Sequence, residues 1–135
     1  RRERLVRISV GVEDIGEAVH RVNSEADVVW VDGHSDYGHA FERFWETWGK
    51  DVGPKTTVIV LGDASNNYHA SQSWVMKEVR HRARHLFWLN PEPRPRWDTG
   101  DSVIATYARH ADVVAPCGTL AELDRALTEI VAALL

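Results

Sequence analysis

The chain has 135 residues, 44% of them hydrophobic and 27% charged, and a formal net charge of −4. This composition excludes a disordered chain, and the length predicts a single domain spanning residues 1–135. The negative charge gives no reason to expect a nucleic-acid partner, and no apolar run approaches the roughly 20 residues of a membrane span. Because the one cysteine, Cys117, excludes an internal disulfide, we expect a reducing, cytoplasmic location.

The first part of the chain predicts short elements followed by an aromatic helix. Residues 5–10 are typical of a strand, residues 14–23 of an amphipathic helix, and residues 28–31 of an extended segment, either a strand or a loop. Residues 36–49 predict a helix that ends at Gly49. Its aromatic stripe is more typical of a core than of a binding surface, although the last two rings would be exposed on a peripheral helix: Tyr37, Phe41, Phe44, Trp45 and Trp48.

Strands and helices alternate from residue 56 onwards. The predicted strands are continuous apolar runs, as in strands buried on both faces, and they are residues 56–61, 85–89 and 111–115. The predicted helices carry apolar residues three or four apart, and they are residues 70–84, 98–109 and 119–135. Asp98 or Thr99 is placed near the start of the second of these helices, and Thr119 with Glu122 forms a capping box at the start of the third.

This alternation predicts an α/β fold with right-handed crossovers, that is, a doubly wound, mostly parallel sheet with helices on both faces. Ligands of such sheets bind beyond the carboxyl ends of the strands. Asp63 and Asn90 follow two of the predicted strands, and Ser65, Asn66 and Asn67 lie in the same turn as Asp63. The competing interpretation is that these polar residues only shape a turn and cap a helix.

A second polar loop, residues 32–38, precedes the aromatic helix. In one interpretation, Ser35 or Asp36 is the N-cap of that helix. In the other, the oxygen atoms of the loop contribute to a Mg²⁺ site, because this hard cation prefers carboxylates, hydroxyls and water.

Four segments occur in a definite order: His-Ser-Asp-Tyr-Gly at residues 34–38, Gly-Asp-Ala-Ser-Asn-Asn-Tyr at 62–68, Trp-Leu-Asn-Pro-Glu at 88–92 and Trp-Asp-Thr-Gly-Asp-Ser at 97–102. Together they resemble the successive motifs of bacterial CoxE-like proteins, which contain a von Willebrand factor type A (VWA) domain. The resemblance runs from about residue 14 to the C-terminus. It implies a three-layer, Rossmann-like architecture.

The resemblance also implies a metal-ion-dependent adhesion site, in which Ser35 and Asp63 help to hold Mg²⁺ and a partner protein supplies a carboxylate. The tentative binding surface around that site consists of Asp36, Ser65, Asn66, Asn67 and Asn90. Such a domain binds rather than catalyses. The implied partners are a MoxR-type AAA+ ATPase and a client protein that is matured or remodelled, as by a carbon monoxide dehydrogenase accessory factor.

The chain departs from the family pattern at one motif. Asp-x-Ser-x-Ser, which in the family ends the first, central strand, occurs nowhere in this sequence. We therefore expect the metal site to be incomplete and the strand at residues 56–61 to lack a neighbour on one side. A fragment of a longer protein is the favoured explanation; the alternatives are that residues 5–10 or a second chain fill the gap.

Two other functions compete with a binding domain. One is a Mg²⁺-dependent phosphohydrolase that uses Asp63, although the second aspartate expected two residues later is Ser65. The other is a truncated scaffold that binds no metal. A zinc site is not favoured, since His81 and His85 lie in a basic helix end that complements the helix dipole. No glycine-rich phosphate loop is present in the sequence.

Overall fold

The computed structural model describes residues 7–9 and 35–135. This part of the chain contains one sheet of four parallel strands, whose spatial order is their order in the sequence. The strands are β1 (Arg7–Ser9), β2 (Thr57–Leu61), β3 (His85–Asn90) and β4 (Val113–Pro116). The predicted helix at residues 14–23, the extended segment at residues 28–31 and the first three residues of the polar loop lie outside the described residues.

Four α-helices and two short 3₁₀ helices accompany these strands in the described part of the chain. The α-helices are α1 (Tyr37–Trp48), α2 (Trp74–Arg82), α3 (Ile104–Ala108) and α4 (Leu120–Leu134). The 3₁₀ helices are Gly49–Asp51 and Arg94–Arg96. Helices α1, α2 and α3 contribute to the apolar cluster on one face of the sheet, and α4 to the cluster on the other face. The predicted doubly wound α/β fold is confirmed.

The flank of β2 that was expected to lack a neighbour carries a short one. Strand β1 runs parallel to β2, and Ile8 lies opposite Val60. The sequence left open whether residues 5–10 or a second chain fill this gap. Residues 7–9 do pair with β2, which supports the first of these alternatives. This strand does not restore the family motif, because Asp-x-Ser-x-Ser is still absent from the sequence.

The helix predicted at residues 98–109 is shorter than expected, since α3 begins only at Ile104. The preceding residues bond to the loop after β2 instead of forming a helical turn. Val103 N donates to Ala64 O at 3.0 Å, and Ser102 forms an isolated antiparallel bridge with Ser65. Long-range pairing has replaced local helical hydrogen bonds here, which sequence propensity does not register.

The helix predicted at residues 70–84 also begins late, at Trp74. Gln72 has a left-handed backbone with a φ of 48°, which interrupts any helix. The carbonyl oxygen of Ala70 lies so close to Gly38 of α1 that a β-carbon on Gly38 would collide with it. The loop before α2 is therefore shaped by contact with α1.

The apolar stripe predicted along the last helix is buried only in part. Ala126 and Ile130 pack against the sheet, whereas Leu127 is 47% exposed and Val131 is 53% exposed. The predicted N-cap is confirmed, since the Thr119 side chain accepts from the Glu122 amide at 3.1 Å. None of the described helices combines the length and apolar character that crossing a membrane requires.

Candidate functional site

Asp63 lies where the sequence places it, directly beyond the end of β2 at the edge where the parallel strands end, here called the carboxyl edge. Its Oδ1 atom accepts from the Ser65 amide at 2.8 Å and from the Tyr37 hydroxyl at 3.3 Å. Burial, and then the negative charge of Asp63, raise the pKa of Tyr37 well above its ordinary range. The Tyr37 hydroxyl therefore stays protonated and keeps its donor aimed at the carboxylate.

The contact between Tyr37 and Asp63 requires a residue without a side chain at position 62. A β-carbon on Gly62 would collide with the Tyr37 hydroxyl. The ring of Tyr37 itself is fully buried and packs against Trp88, with the ring centroids 5.8 Å apart. The aromatic core thus holds one of the two donors that fix the Asp63 carboxylate.

Asn66 joins the loop after β2 to the beginning of α1. Its Oδ1 atom accepts from the first two amides of α1, those of Tyr37 at 2.7 Å and Gly38 at 3.3 Å. Asp36 accepts from the next two, through its side chain from His39 N at 2.8 Å and through its carbonyl from the following amide at 3.1 Å. Side chains therefore satisfy three amides that normally lack partners at a helix start, and the fourth bond is the first intrahelical one.

These contacts show where the two polar loops lie relative to each other. Ser35 and Asp36 lie at the start of α1, which the Asn66 side chain binds directly to the loop that carries Asp63. The N-cap interpretation is confirmed for Asp36. Ser35 is partly buried beside it. The loops of Ser35 and Asp63 therefore meet at the same edge of the sheet, as the metal interpretation requires.

Most of the other predicted binding residues are engaged in holding this edge together. Asn66 is fully buried, and its Nδ2 atom donates to the His69 carbonyl at 2.6 Å. The Asn67 amide donates to the Asp101 carboxylate at 2.7 Å. Ser65 bonds through its amide to Asp63. A ligand would reach the Asn66 side chain only by breaking its bonds to α1 or to His69.

Asn90 ends β3 next to Gly62 and is fully buried. Its Oδ1 atom accepts from the Glu92 amide at 2.9 Å. Its Nδ2 atom is buried and has no hydrogen-bond partner in the described part of the chain. Asn90 shapes the turn after β3, and among the described residues its side-chain NH2 group remains without an acceptor.

Two residues of this edge were missed by the sequence analysis. Asp101 binds both Asn66, through its carbonyl oxygen, and Asn67, through its carboxylate. The Ser102 hydroxyl donates to the Asp63 carbonyl oxygen at 3.0 Å. Both lie in a segment that the sequence assigned to a helix, so that their long-range role had no local signal except the turn-forming Gly100 just before them.

The loop after β2 has an unusual backbone. Ala64, Asn67, Tyr68 and Gln72 all have a φ between 48° and 60°, the left-handed region that side chains disfavour. Conformations of this kind persist where surrounding contacts over-determine them, and they gather at binding sites. The loop presents Tyr68 to solvent with 85% of its surface exposed.

The donors at this edge fit Mg²⁺ in chemistry but supply only part of its shell. Mg²⁺ requires six oxygen ligands in an octahedron, usually one or two carboxylates and several waters. Asp63 and Ser35 would hold such an ion, whereas the Asp36 side chain already caps α1. Within residues 7–9 and 35–135, no three His, Cys, Asp or Glu side chains are grouped as metal ligands. The remaining ligands would have to be water or another molecule.

The comparisons with known proteins gave one finding. A family model described as "VWA domain containing CoxE-like protein" matches residues 2–125, most of the chain. Searches of curated proteins and of solved structures gave no significant match.

Proposed function

This chain belongs to the VWA-domain-containing, CoxE-like family, and from that premise we propose that it is a non-catalytic domain that binds another protein at its carboxyl edge. The supporting observation is the Asp63 carboxylate, which two donors hold by one oxygen atom at the end of a buried strand. The carboxylate is held rigidly, and Asn66 fixes the neighbouring start of α1. Such a site is suited to recognition, since little conformational entropy is lost when a partner binds.

Three features support binding over catalysis. The amides at the start of α1 are already satisfied, so they do not offer a phosphate cradle. Burial raises the pKa of the Cys117 thiol, which disfavours a thiolate nucleophile. The protonated Tyr37 hydroxyl donates to Asp63. This bond suits an Asp63 carboxylate that stays ionised and in place, rather than one that acts as a general acid or base.

We extend the proposal to a Mg²⁺ ion held by Ser35 and Asp63, with water completing the shell. When bound, the ion would offer a coordination position to a carboxylate of the partner protein. The Tyr37 hydroxyl and the Ser65 amide would orient the Asp63 carboxylate toward it. The partner class proposed from family membership is a MoxR-type AAA+ ATPase in the cytoplasm, acting with this domain on a client protein.

Calorimetric titration of the full chain with Mg²⁺ and Mn²⁺ tests the metal component. We expect binding heat for the wild type and at least about a tenfold loss of affinity in Asp63→Asn, because even supporting groups of metal sites contribute that much. Asp124→Asn on α4 is the matched control, since it removes an exposed carboxylate elsewhere. Absence of heat in the wild type would favour the metal-free scaffold.

The binding function is tested separately, by surface plasmon resonance with a purified MoxR-type ATPase in Mg²⁺ and in EDTA. We expect an interaction that Asp63→Asn weakens and Asp124→Asn does not. Hydrolysis of phosphate monoesters by the wild type, lost in Asp63→Asn, would instead support the phosphohydrolase alternative and overturn the proposal.

A further inference from the structure

Two tryptophans and one arginine form a cluster on the outer side of α1 and α2. The rings of Trp45 and Trp74 meet edge to face, with centroids 6.4 Å apart and an interplanar angle of 84°. The Arg82 guanidinium lies 4.7 Å from the centre of the Trp45 ring. Trp74 is 45% exposed, and Arg82 is also exposed. These three residues are called the Trp-Arg surface.

Arg82 differs from the arginine two residues before it. Arg80 forms an ion pair with Asp112 at 2.8 Å. In the described part of the chain, Arg82 has no carboxylate within salt-bridge distance. A guanidinium stacked on an aromatic face keeps its in-plane N–H groups available for a two-pronged bond to a carboxylate. Among the described residues, Arg82 is therefore a guanidinium that no carboxylate neutralises.

The Trp-Arg surface is held rigidly from behind. A β-carbon on Gly49 would lie 2.8 Å from the Trp45 ring, so the glycine leaves room for the ring to lie against the end of α1. Trp74 donates its indole N–H to the Gln72 side chain at 3.0 Å. Gln72 holds that position in a left-handed backbone conformation with a φ of 48°. Rigid aromatic side chains lose little entropy on binding and are enriched among residues that dominate interfaces.

The α2 side of this surface is positive, although α1 contributes Glu42 and Glu46, the second of them paired with Arg43, and the whole chain has a net charge of −4. Helix α2 contains one acidic residue, Glu78, and several basic residues. The exposed basic residues in and after α2 are Lys77, Arg80, His81, Arg82 and Arg84. This local excess selects a partner of opposite charge.

We infer that the Trp-Arg surface is a docking site for an acidic segment of another protein, in which a carboxylate pairs with Arg82 and an apolar side chain packs on Trp74. A nucleic acid fits the surface less well. Bases need open aromatic faces on which to stack, and Arg82 covers one face of Trp45 while Trp74 meets the same ring at a right angle. The inference depends on neither Asp63 nor a metal ion.

The test uses the full chain, labelled with ¹⁵N, and follows its indole N–H signals by NMR during titration at low salt. The probe is a synthetic 16-residue helical peptide of glutamate and leucine. A matched peptide with glutamine in place of glutamate and a single-stranded oligonucleotide are the comparisons. We expect the Trp45 and Trp74 signals to shift with the acidic peptide alone, and the shifts to diminish as salt is added.

Two other tryptophans act as internal references. The indole N–H of Trp88 is bound to Gly62 O and that of Trp97 to Glu92 O, at 2.8 Å and 2.7 Å. Their signals should not move. Shifts of Trp88 and Trp97 that equal those of Trp45 and Trp74, or an equal response to the glutamine peptide or the oligonucleotide, would overturn the inference. Because this mapping uses the wild type, it does not depend on any variant folding.

Variants of Arg82 measure how much this residue contributes to the affinity for the acidic peptide. Arg82→Gln should weaken peptide binding at least about tenfold, and Arg82→Lys by less, since lysine keeps the charge but loses the planar fork. Arg125→Gln, which removes an exposed arginine of α4, should leave the affinity unchanged. Equal affinities for Arg82→Gln and Arg125→Gln would show that Arg82 binds no carboxylate.

Discussion

Within residues 7–9 and 35–135, the two faces of the sheet are covered very differently. On the face toward α1, α2 and α3, four large rings are fully buried and in mutual contact: Tyr37, Phe41, Trp88 and Tyr107. Trp88 stacks on Tyr107 with centroids 5.0 Å apart. On the other face, α4 is the helix of the described residues that contributes buried side chains, Ala126 and Ile130, which pack with Phe87 and Leu89 of β3.

Geometry accounts for which strands α4 covers. Strands lie about 4.8 Å apart and a helix packs with a diameter of about 10 Å, so one helix covers roughly two strands. Helix α4 packs on β3 and β4, and Ile59 and Leu61 of β2 are only partly buried on that face. Tyr37 belongs to the buried aromatic cluster and also donates to Asp63 at the carboxyl edge. We therefore expect the arrangement of the carboxyl edge to depend on the packing of the aromatic face.

The largest effect should come from removing a ring of the aromatic face. Trp88→Ala should lower the free energy of unfolding by about 3–5 kcal/mol, since it leaves a cavity and removes the donor to Gly62 O. Ile130→Ala on the opposite face should lie near the lower end of the range of about 2–5 kcal/mol for such truncations. Urea unfolding followed by circular dichroism measures both, and the comparison fails if Ile130→Ala destabilises more than Trp88→Ala.

A smaller effect should appear at alkaline pH, and it belongs to the aromatic face alone. Burial raises the pKa of Tyr37 and of Tyr107 in the folded protein. Above pH about 10 the unfolded chain loses these protons while the folded chain keeps them, so stability falls as the pH rises, by about 1.4 kcal/mol per pH unit for each tyrosine. Below that pH the two residues contribute no pH dependence.

Urea unfolding between pH 9.5 and 11 measures this slope. Because other groups also titrate there, the informative quantity is the difference between the wild type and Tyr107→Phe. Phenylalanine at position 107 should make the decline shallower by the share of one tyrosine. Parallel slopes for the two proteins would mean that Tyr107 ionises as readily when folded as when unfolded.

The smallest effect is expected on the exposed side of α4. Leu127→Gln should change the free energy of unfolding by no more than about 0.5 kcal/mol, because Leu127 is 47% exposed. Ala126→Gln, one residue earlier, should lower it by more than about 1 kcal/mol, since Ala126 is 1% exposed and a larger polar group must be forced under the helix. Thermal unfolding of the pair checks this, and equal melting temperatures would contradict the placement of α4.

The carboxyl edge was predictable where its residues follow a strong local pattern. Asp63 follows a continuous apolar strand, and Asp36 precedes a clear helix, so both positions could be read from the sequence. The contacts of Asp101 with Asn66 and Asn67 could not, because they join residues more than thirty positions apart. Their segment has helical propensity, and the tertiary contacts overrode it.

The sequence by itself determined the order of strands and helices, the parallel sheet and the loops that carry Ser35 and Asp63, because apolar periodicity and turn residues act within a few positions. Only the tertiary structure decided which polar side chains hold the loops together, which side of α4 stays exposed and how Arg82 comes to lie on Trp45. These outcomes depend on how helices of fixed width cover a sheet, and no local pattern encodes that width.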